Sequence, residues 1–485
     1  MAQLRIGRLA GGGAILACAV CLTAVAPALA TGGPGSQAST AKANKRHRVG
    51  GRVQLAWPHS KKGRPADPLS QWLARQSGPT CPKHRKKSRC PKLRGGKKRK
   101  GRKASEAVAI PSVDRGPRRL DADPVARIAA TSTLATPLAL TRSYEIPSGD
   151  PSYNRLLNWS WTYDSAVTAA SFVATGDEKQ ATQLLDQLSA LQYKDGSIDI
   201  AFDVSTGQGA GMFRAGTIAW VGLAATKYDS KFGVSTYQAM AKRTADYLLT
   251  LQGPSGLIKG GPRLEWYSTQ HNLLAYTFLT HLATELKAAG DASGSEKYGS
   301  AAATIAAAIQ SNLVTGSGAN THFIQGLGDT VQPLDVQAYG ALFELATGDS
   351  QAAKKVLGYA KSNFQVSGRS VAKSTDPATY NNTYAAAGPF SGYKPYQGDV
   401  GPNVLWFEAT PMLRLATAAL GDNTTTLDSW IESWKAITGS SVGPLQANQT
   451  LTNAAIGVEY HVWPAASPAA WVLLSQNAPT FFTAY

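Results

Sequence analysis

Residues 162–177 read TYDSAVTAASFVATGD and are followed by EKQATQLLDQLSALQ (178–192). The first segment is apolar almost all round, with its polar residues crowded at the start. The second spaces Ala181, Leu184, Leu185 and Leu188 at helical intervals, with charged and amide residues between them. A helix apolar on all sides is buried on several of them, whereas an amphipathic helix covers a core with one face. The pair therefore predicts one inner and one outer helix.

The same two-stroke pattern recurs. FRAGTIAWVGLAATKYD (213–229) precedes VSTYQAMAKRTADYLLTLQ (234–252), and QHNLLAYTFLTHLATEL (270–286) precedes GSEKYGSAAATIAAAIQSNL (294–313). LDVQAYGALFELATGD (334–349) precedes SQAAKKVLGYAKSNF (350–364), and VLWFEATPMLRLATAALGD (404–422) precedes TTTLDSWIESWKAI (424–437). YHVWPAASPAAWVLLS (460–475) stands alone. Repeats of this length bury a continuous core only by packing on their neighbours. Six such hairpins can close into a ring, with a segment before residue 160 as the missing outer partner. The long loops 195–211 and 365–401 join outer to inner helices, which places them on the rim where inner helices begin.

The rest of the chain is of another kind. Residues 1–30 carry Arg5 and Arg8, an apolar stretch and Ala28-Leu29-Ala30, the pattern of a secretory signal. Residues 1–130 hold 28 Lys+Arg against 5 Asp+Glu, and residues 131–485 hold 21 against 26. The net charge of +18 therefore comes from the N-terminal quarter alone. Residues 31–130 are poor in large apolar side chains, and the expectation is a disordered basic linker ahead of a domain over 150–485. Its charge suits an anionic cell-wall polymer as partner. Of the four cysteines, Cys81 and Cys90 lie beyond the signal and enclose PKHRKKSR; in an oxidising compartment they are expected to form a disulfide. The expectation is an exported protein without a transmembrane span, with the cell wall as the site the basic stretch would hold it to.

YDSA (163–166), EWYSTQHN (265–272), LDVQAYG (334–340), LWFEATPML (405–413) and YHVWPAASPAAW (460–471) occupy matching places at the starts of inner helices, and LQYKDGSI (191–198) closes the first outer helix. Together with six inner helices whose starts are polar, these stretches resemble the six-hairpin glycosidases, in particular an exported bacterial group among them. The resemblance implies an all-α (α/α)6 toroid acting on carbohydrate polymer. In the related motif a Glu often precedes His-Asn; here the residue is Gln270.

Glycosidic hydrolysis needs two carboxyl groups across the scissile bond, one protonated and one ionised. Inner-helix starts converge at one mouth, so the acidic residues there are the candidates. Glu408 lies among apolar neighbours, where burial raises a carboxyl pKa, as a general acid requires. Asp164, Asp335 and Asp399 are candidates for the base or nucleophile. An acidic residue in a first helical turn is also favoured by the helix dipole, which gives Asp164 and Asp335 a purely structural alternative. Arg214 opens an inner helix against that dipole and needs a partner. Glu265, Trp266, Tyr267, His271 and Asn272, with Arg214, Trp406, His461 and Trp463, are the expected substrate contacts, the aromatic rings suiting sugar faces. No cofactor or metal is expected: the acidic run DGSIDIAFD (195–203) does not fit calcium-loop spacing. Three readings stand open: a glycoside hydrolase, a lyase on a uronic-acid polymer with Arg214 neutralising the carboxylate, and a wall-bound sugar-binding protein.

Overall fold

The computed structural model describes residues 67–78, 137–371, 384–397, 403–453 and 458–483. Its helices are α1 (Pro68–Gln76), the single turn α2 (Tyr153–Leu156), α3 (Thr162–Thr175), α4 (Glu178–Leu191), α5 (Ala215–Phe232), α6 (Gln238–Thr250), α7 (Thr269–Ala288), α8 (Ala292–Asn312), α9 (Leu334–Ala346), α10 (Ser350–Phe364), α11 (Ala409–Ala419), α12 (Thr425–Thr438) and α13 (Ala466–Asn477). α3 packs on α5, α5 on α7, α7 on α9, α9 on α11, α11 on α13, and α13 back on α3. That closed circuit is an (α/α)6 toroid. α4, α6, α8, α10 and α12 lie against α3, α5, α7, α9 and α11 in turn.

The inner helices are enclosed as their composition demands. Every residue of α3 except Thr175 is buried, and α5 is buried from Ala215 to Asp229. A recurrent Gly-Asp step makes the hairpin turn. Gly176, Gly290 and Gly348 take positive φ (78°, 84° and 95°), which glycine adopts without strain, and the inner helix stops there. The next residues, Asp177, Asp291 and Asp349, cap the outer helices by accepting from Gln180 N, Gly294 N and Ala352 N.

The sixth outer helix is α1, packed on α13. This corrects part of the linker expectation: residues 67–78 lie inside 31–130 yet form a capped helix. Asp67 accepts from Leu69 N, and Leu69, Trp72 and Leu73 are buried. Trp72 packs against Gly443 and donates to Glu145 Oε2 at 2.8 Å. The signal segment, Cys81 and Cys90 lie outside the described residues. Among the described residues no helix is long and apolar enough to cross a membrane.

Between hairpins, short antiparallel pairs line the rim: β1 (Trp159–Trp161) with β2 (Ala201–Asp203), β3 (Val314–Thr315) with β4 (His322–Phe323), β5 (Gln365–Val371) with β6 (Ala386–Tyr393), and β7 (Leu451–Asn453) with β8 (Val458–Tyr460). The bore is not hollow. Trp220, Tyr339, Trp471, Phe481 and Phe482 fill it, with Trp471 and Phe482 stacked at 6.0 Å.

If α1 completes the ring, Trp72→Ala costs about 3–5 kcal/mol. Urea unfolding of the full chain is expected to show a lowered midpoint. An unchanged midpoint would mean that α1 is an appendage.

Candidate active site

Three carboxyl groups from three inner elements point into the ring at the start of their helices. Asp164 is the third residue of α3, Asp335 the second of α9, and Glu408 immediately precedes α11. All are buried, with exposures of 1%, 5% and 4%. Glu408 Oε1 accepts from Tyr163 OH at 2.5 Å and Oε2 from Ser467 Oγ at 2.7 Å. Tyr163 OH in turn accepts from Trp471 Nε1 at 2.7 Å, which ties the carboxyl to the aromatic plug. Ser467 is also a hydrogen-bond partner of Asp164, so one hydroxyl links two carboxyl groups. Asp335 Oδ2 accepts from Gln270 Nε2 at 2.7 Å.

Burial governs their electrostatics. It raises Glu408 to about 8, a rise that Asp164 and Asp335 reinforce by their charge and that the bonds from Tyr163 and Ser467 oppose. It raises Asp164 and Asp335 to about 7 each. Backbone amides at the start of α9 resist the rise at Asp335, because they favour its ionised form. Tyr163 and Tyr339 are pushed well above the usual phenol value, first by burial and then by the carboxyl charges around them.

Other expected site residues are placed as follows. His271 is fully buried on α7, its ring edge against Gly216 of α5 and Trp266 at 5.7 Å. Neither ring nitrogen has a hydrogen-bond partner. Burial, and secondarily Arg214, holds its pKa down at about 3, so the ring is neutral. Trp266 and Trp406 each leave a buried indole N–H unpartnered, as Gln270 does its Oε1. Buried polar atoms rarely lack partners, and a group of them around one mouth is what a site awaiting hydroxyl groups would leave.

Arg214 was expected to find a carboxylate. Among the described residues none lies within ion-pair distance; its Nη1 donates to Phe213 O at 3.0 Å. Glu265 is paired instead with Lys259 at 2.8 Å, and its side chain is 80% exposed on the outside of the lip. Tyr267 lies beneath Gly253, its hydroxyl where a Cβ would stand. His461 stacks on Trp463 at 3.7 Å and meets Glu459 at 3.4 Å; Trp463 donates to Asp150 Oδ2. Asp399 lies outside the described residues.

Asn272 needs correction as a substrate contact. Its Oδ1 accepts from Ile258 N at 2.7 Å, and its Nδ2 donates to Ile258 O and Ser268 O at 3.0 and 2.8 Å. Its amide is consumed in clamping the preceding loop. Gln337 does the same at the equivalent position of α9, holding Phe323 N and O and Pro333 O. Two amides at the fourth residue of an inner helix, each gripping backbone fourteen positions upstream, are a structural device of the repeat. Tyr163 and Ser467 were missed as site residues. YDSA placed Tyr163 beside Asp164, but only closure of the ring brings Glu408 and Ser467 to them.

A cavity of about 390 Å³ opens at the opposite rim, lined among others by Lys227, Asp229, His281 and Glu285. From Gln270 to Glu285, α7 rises about 22 Å. That cavity is therefore remote from the three carboxyl groups.

No protein-family model matches the chain, and no curated protein does. Solved structures do. A wild-type glycosidase is 15% identical at a TM-score of 0.49, over 69% of this chain and 91% of its own. Cellobiose 2-epimerase from Bacillus thermoamylovorans is 9% identical at 0.48, over 69% and 91%. A family 76 glycoside hydrolase from a bovine Bacteroides thetaiotaomicron strain is 11% identical at 0.47, over 71% and 73%. Likeness of this degree transfers no chemistry, and the toroid rests on its own closed circuit of helices.

A carboxyl whose folded pKa exceeds its unfolded value stabilises the fold most below the unfolded value, near pH 4, and the contribution is lost as pH rises through the folded value. For Glu408, Asp164 and Asp335 that loss accumulates from near pH 4 upward and is complete at about 7 to 8. Glu408→Gln is expected to shrink the fall in Tm between about pH 5 and about pH 8. An equal fall in both proteins would show that Glu408 is ionised throughout.

Proposed function

We propose that the chain is a glycoside hydrolase acting on a carbohydrate polymer or oligomer, with Glu408 as general acid. The observation that carries this reading is the meeting of Glu408, Asp335 and Asp164 at one mouth of the ring, all three raised by burial. A carboxyl held near 8 is protonated at neutral pH and can deliver its proton to a leaving glycosidic oxygen. Asp335 is the better ionised partner. Its carboxylate receives the Gln270 amide and lies on the positive end of α9, both of which favour the charge. It would act as nucleophile or as base toward water. Asp164, one hydroxyl away from Glu408, disfavours ionisation of that acid and so keeps its proton in place.

The alternative of a lyase is weaker on a specific ground. Proton abstraction beside a uronate needs a base, and the three candidates are poor ones. His271 is held at about 3, and Tyr163 and Tyr339 are held protonated. Export by residues 1–30 and retention on an anionic wall polymer by the basic stretch belong to the same proposal, resting on composition alone.

Glu408→Gln is expected to lower release of reducing ends by about 10²- to 10⁴-fold with an unchanged circular dichroism spectrum. Asp335→Asn should do likewise. Products should show no ultraviolet absorbance from unsaturated ends. New absorbance would indicate a lyase, and undiminished turnover by Glu408→Gln would remove that residue from the chemistry.

A further inference from the structure

Arg214 has been left without a role. It stands at the N-cap of α5 in extended backbone, φ −133°, and its side chain does not cap the helix. Burial lowers its pKa, and among the described residues no carboxylate acts to restore it. A guanidinium is always charged and offers five donors in a planar fork, of which one is accounted for by Phe213 O. A partly buried cation at the positive end of a helix is placed where the fold itself disfavours it. An anion there would be favoured twice, by the guanidinium and by the dipole.

A second observation points the same way. His271 is fully buried, neutral, without a partner on either ring nitrogen, and lies with its edge against Gly216 in the first turn of α5. The approach is close enough that a Cβ on residue 216 would stand 2.3 Å from its Cδ2. A neutral imidazole keeps one N–H to give. The loop over this corner is held tightly: Ala215 N donates to Gly260 O, and a Cβ at Gly261 would meet Phe213 O at 2.5 Å. The same loop carries, at Arg263, a positive φ of 63° on a residue other than glycine. The one carboxylate of this lip, Glu265, is already taken by Lys259.

We infer that Arg214, supported by the start of α5 and by His271, recognises a carboxylate on the sugar, so that the substrate is a uronic-acid-containing glycan. The inference rests on the reading of the mouth as a sugar site. A planar carboxylate matches the guanidinium fork with two parallel hydrogen bonds, whereas a neutral hydroxymethyl group meets an unneutralised charge. Arg214 thus sets specificity, and Glu408 and Asp335 remain the catalytic residues.

The test is binding of D-glucuronate, D-galacturonate, glucose, galactose and glucose 6-sulfate to the full chain, followed by titration NMR, for the native protein, Arg214→Gln and Arg214→Lys. Uronates should bind at least about tenfold more tightly than the neutral sugars. Arg214→Gln should erase the preference, and Arg214→Lys should recover part of it, since charge is kept and the fork lost. Equal binding of charged and neutral sugars, a preference that survives in Arg214→Gln, selective binding of the sulfate ester, or no saturable binding at all would each overturn the assignment. The two readings fail separately. An Arg214-dependent uronate preference without cleavage of any glycoside would defeat the hydrolase and leave this inference standing. Cleavage of neutral glycans with no uronate preference would do the reverse.

Discussion

An inner helix that is apolar on every side can have no open flank. That constraint organises the molecule. Each inner helix must touch two inner neighbours and one outer cover, and six of them meet the condition only by closing on themselves. α13 reaches α3, and α1, from deep in the basic N-terminal region, covers α13. The C-terminal Phe481 and Phe482 then fill the bore with Trp220 and Trp471. Little in this design relies on ion pairs; the salt bridges among the described residues are largely at the surface, where each adds little.

Closure also creates the site. Helix starts converge on one mouth, and acidic residues in those first turns are drawn together whether or not they would choose to be. Three carboxyl groups enclosed by apolar walls cannot all ionise near neutrality. On the proposed reading, the fold thereby separates their tasks. Glu408, facing two other carboxyl groups, holds its proton, while Asp335, with an amide donor and helix amides, is best placed to lose one. The hydrogen-bonded run from Trp471 through Tyr163 to Glu408 joins the aromatic plug to this carboxyl, so packing in the bore and the carboxyl groups at the mouth are coupled through named atoms.

Much of this was legible in the sequence. The alternation of all-apolar and amphipathic helices, with Gly-Asp between most of them, locates the first five hairpins, because burial of whole helices leaves a composition that loops cannot imitate. The need for a covering helix before residue 160 was also legible, but not its address. α1 has one tryptophan and two leucines in a stretch otherwise typical of a linker, and its burial depends on Glu145 and Gly443, far away in the chain. The segment 365–393 reads as loop because Gly, Ser and Ala weaken the period of two; β5 and β6 form there with register irregularities. Asn272 looked like a substrate contact, since nothing in sequence says that backbone fourteen residues earlier will lie within its reach, as it does for Gln337 too. Arg214 was read as needing a partner, and that the described residues supply no carboxylate for it could emerge only from the fold.

The central claim is that enclosure in the ring keeps Glu408 protonated at neutral pH. Difference infrared titration of the native protein against Glu408→Gln isolates the stretching band of this one carboxyl. The account predicts a protonated band that persists through neutrality and titrates at about 8. A carboxylate band already complete near the ordinary glutamate value of about 4.3 would contradict it.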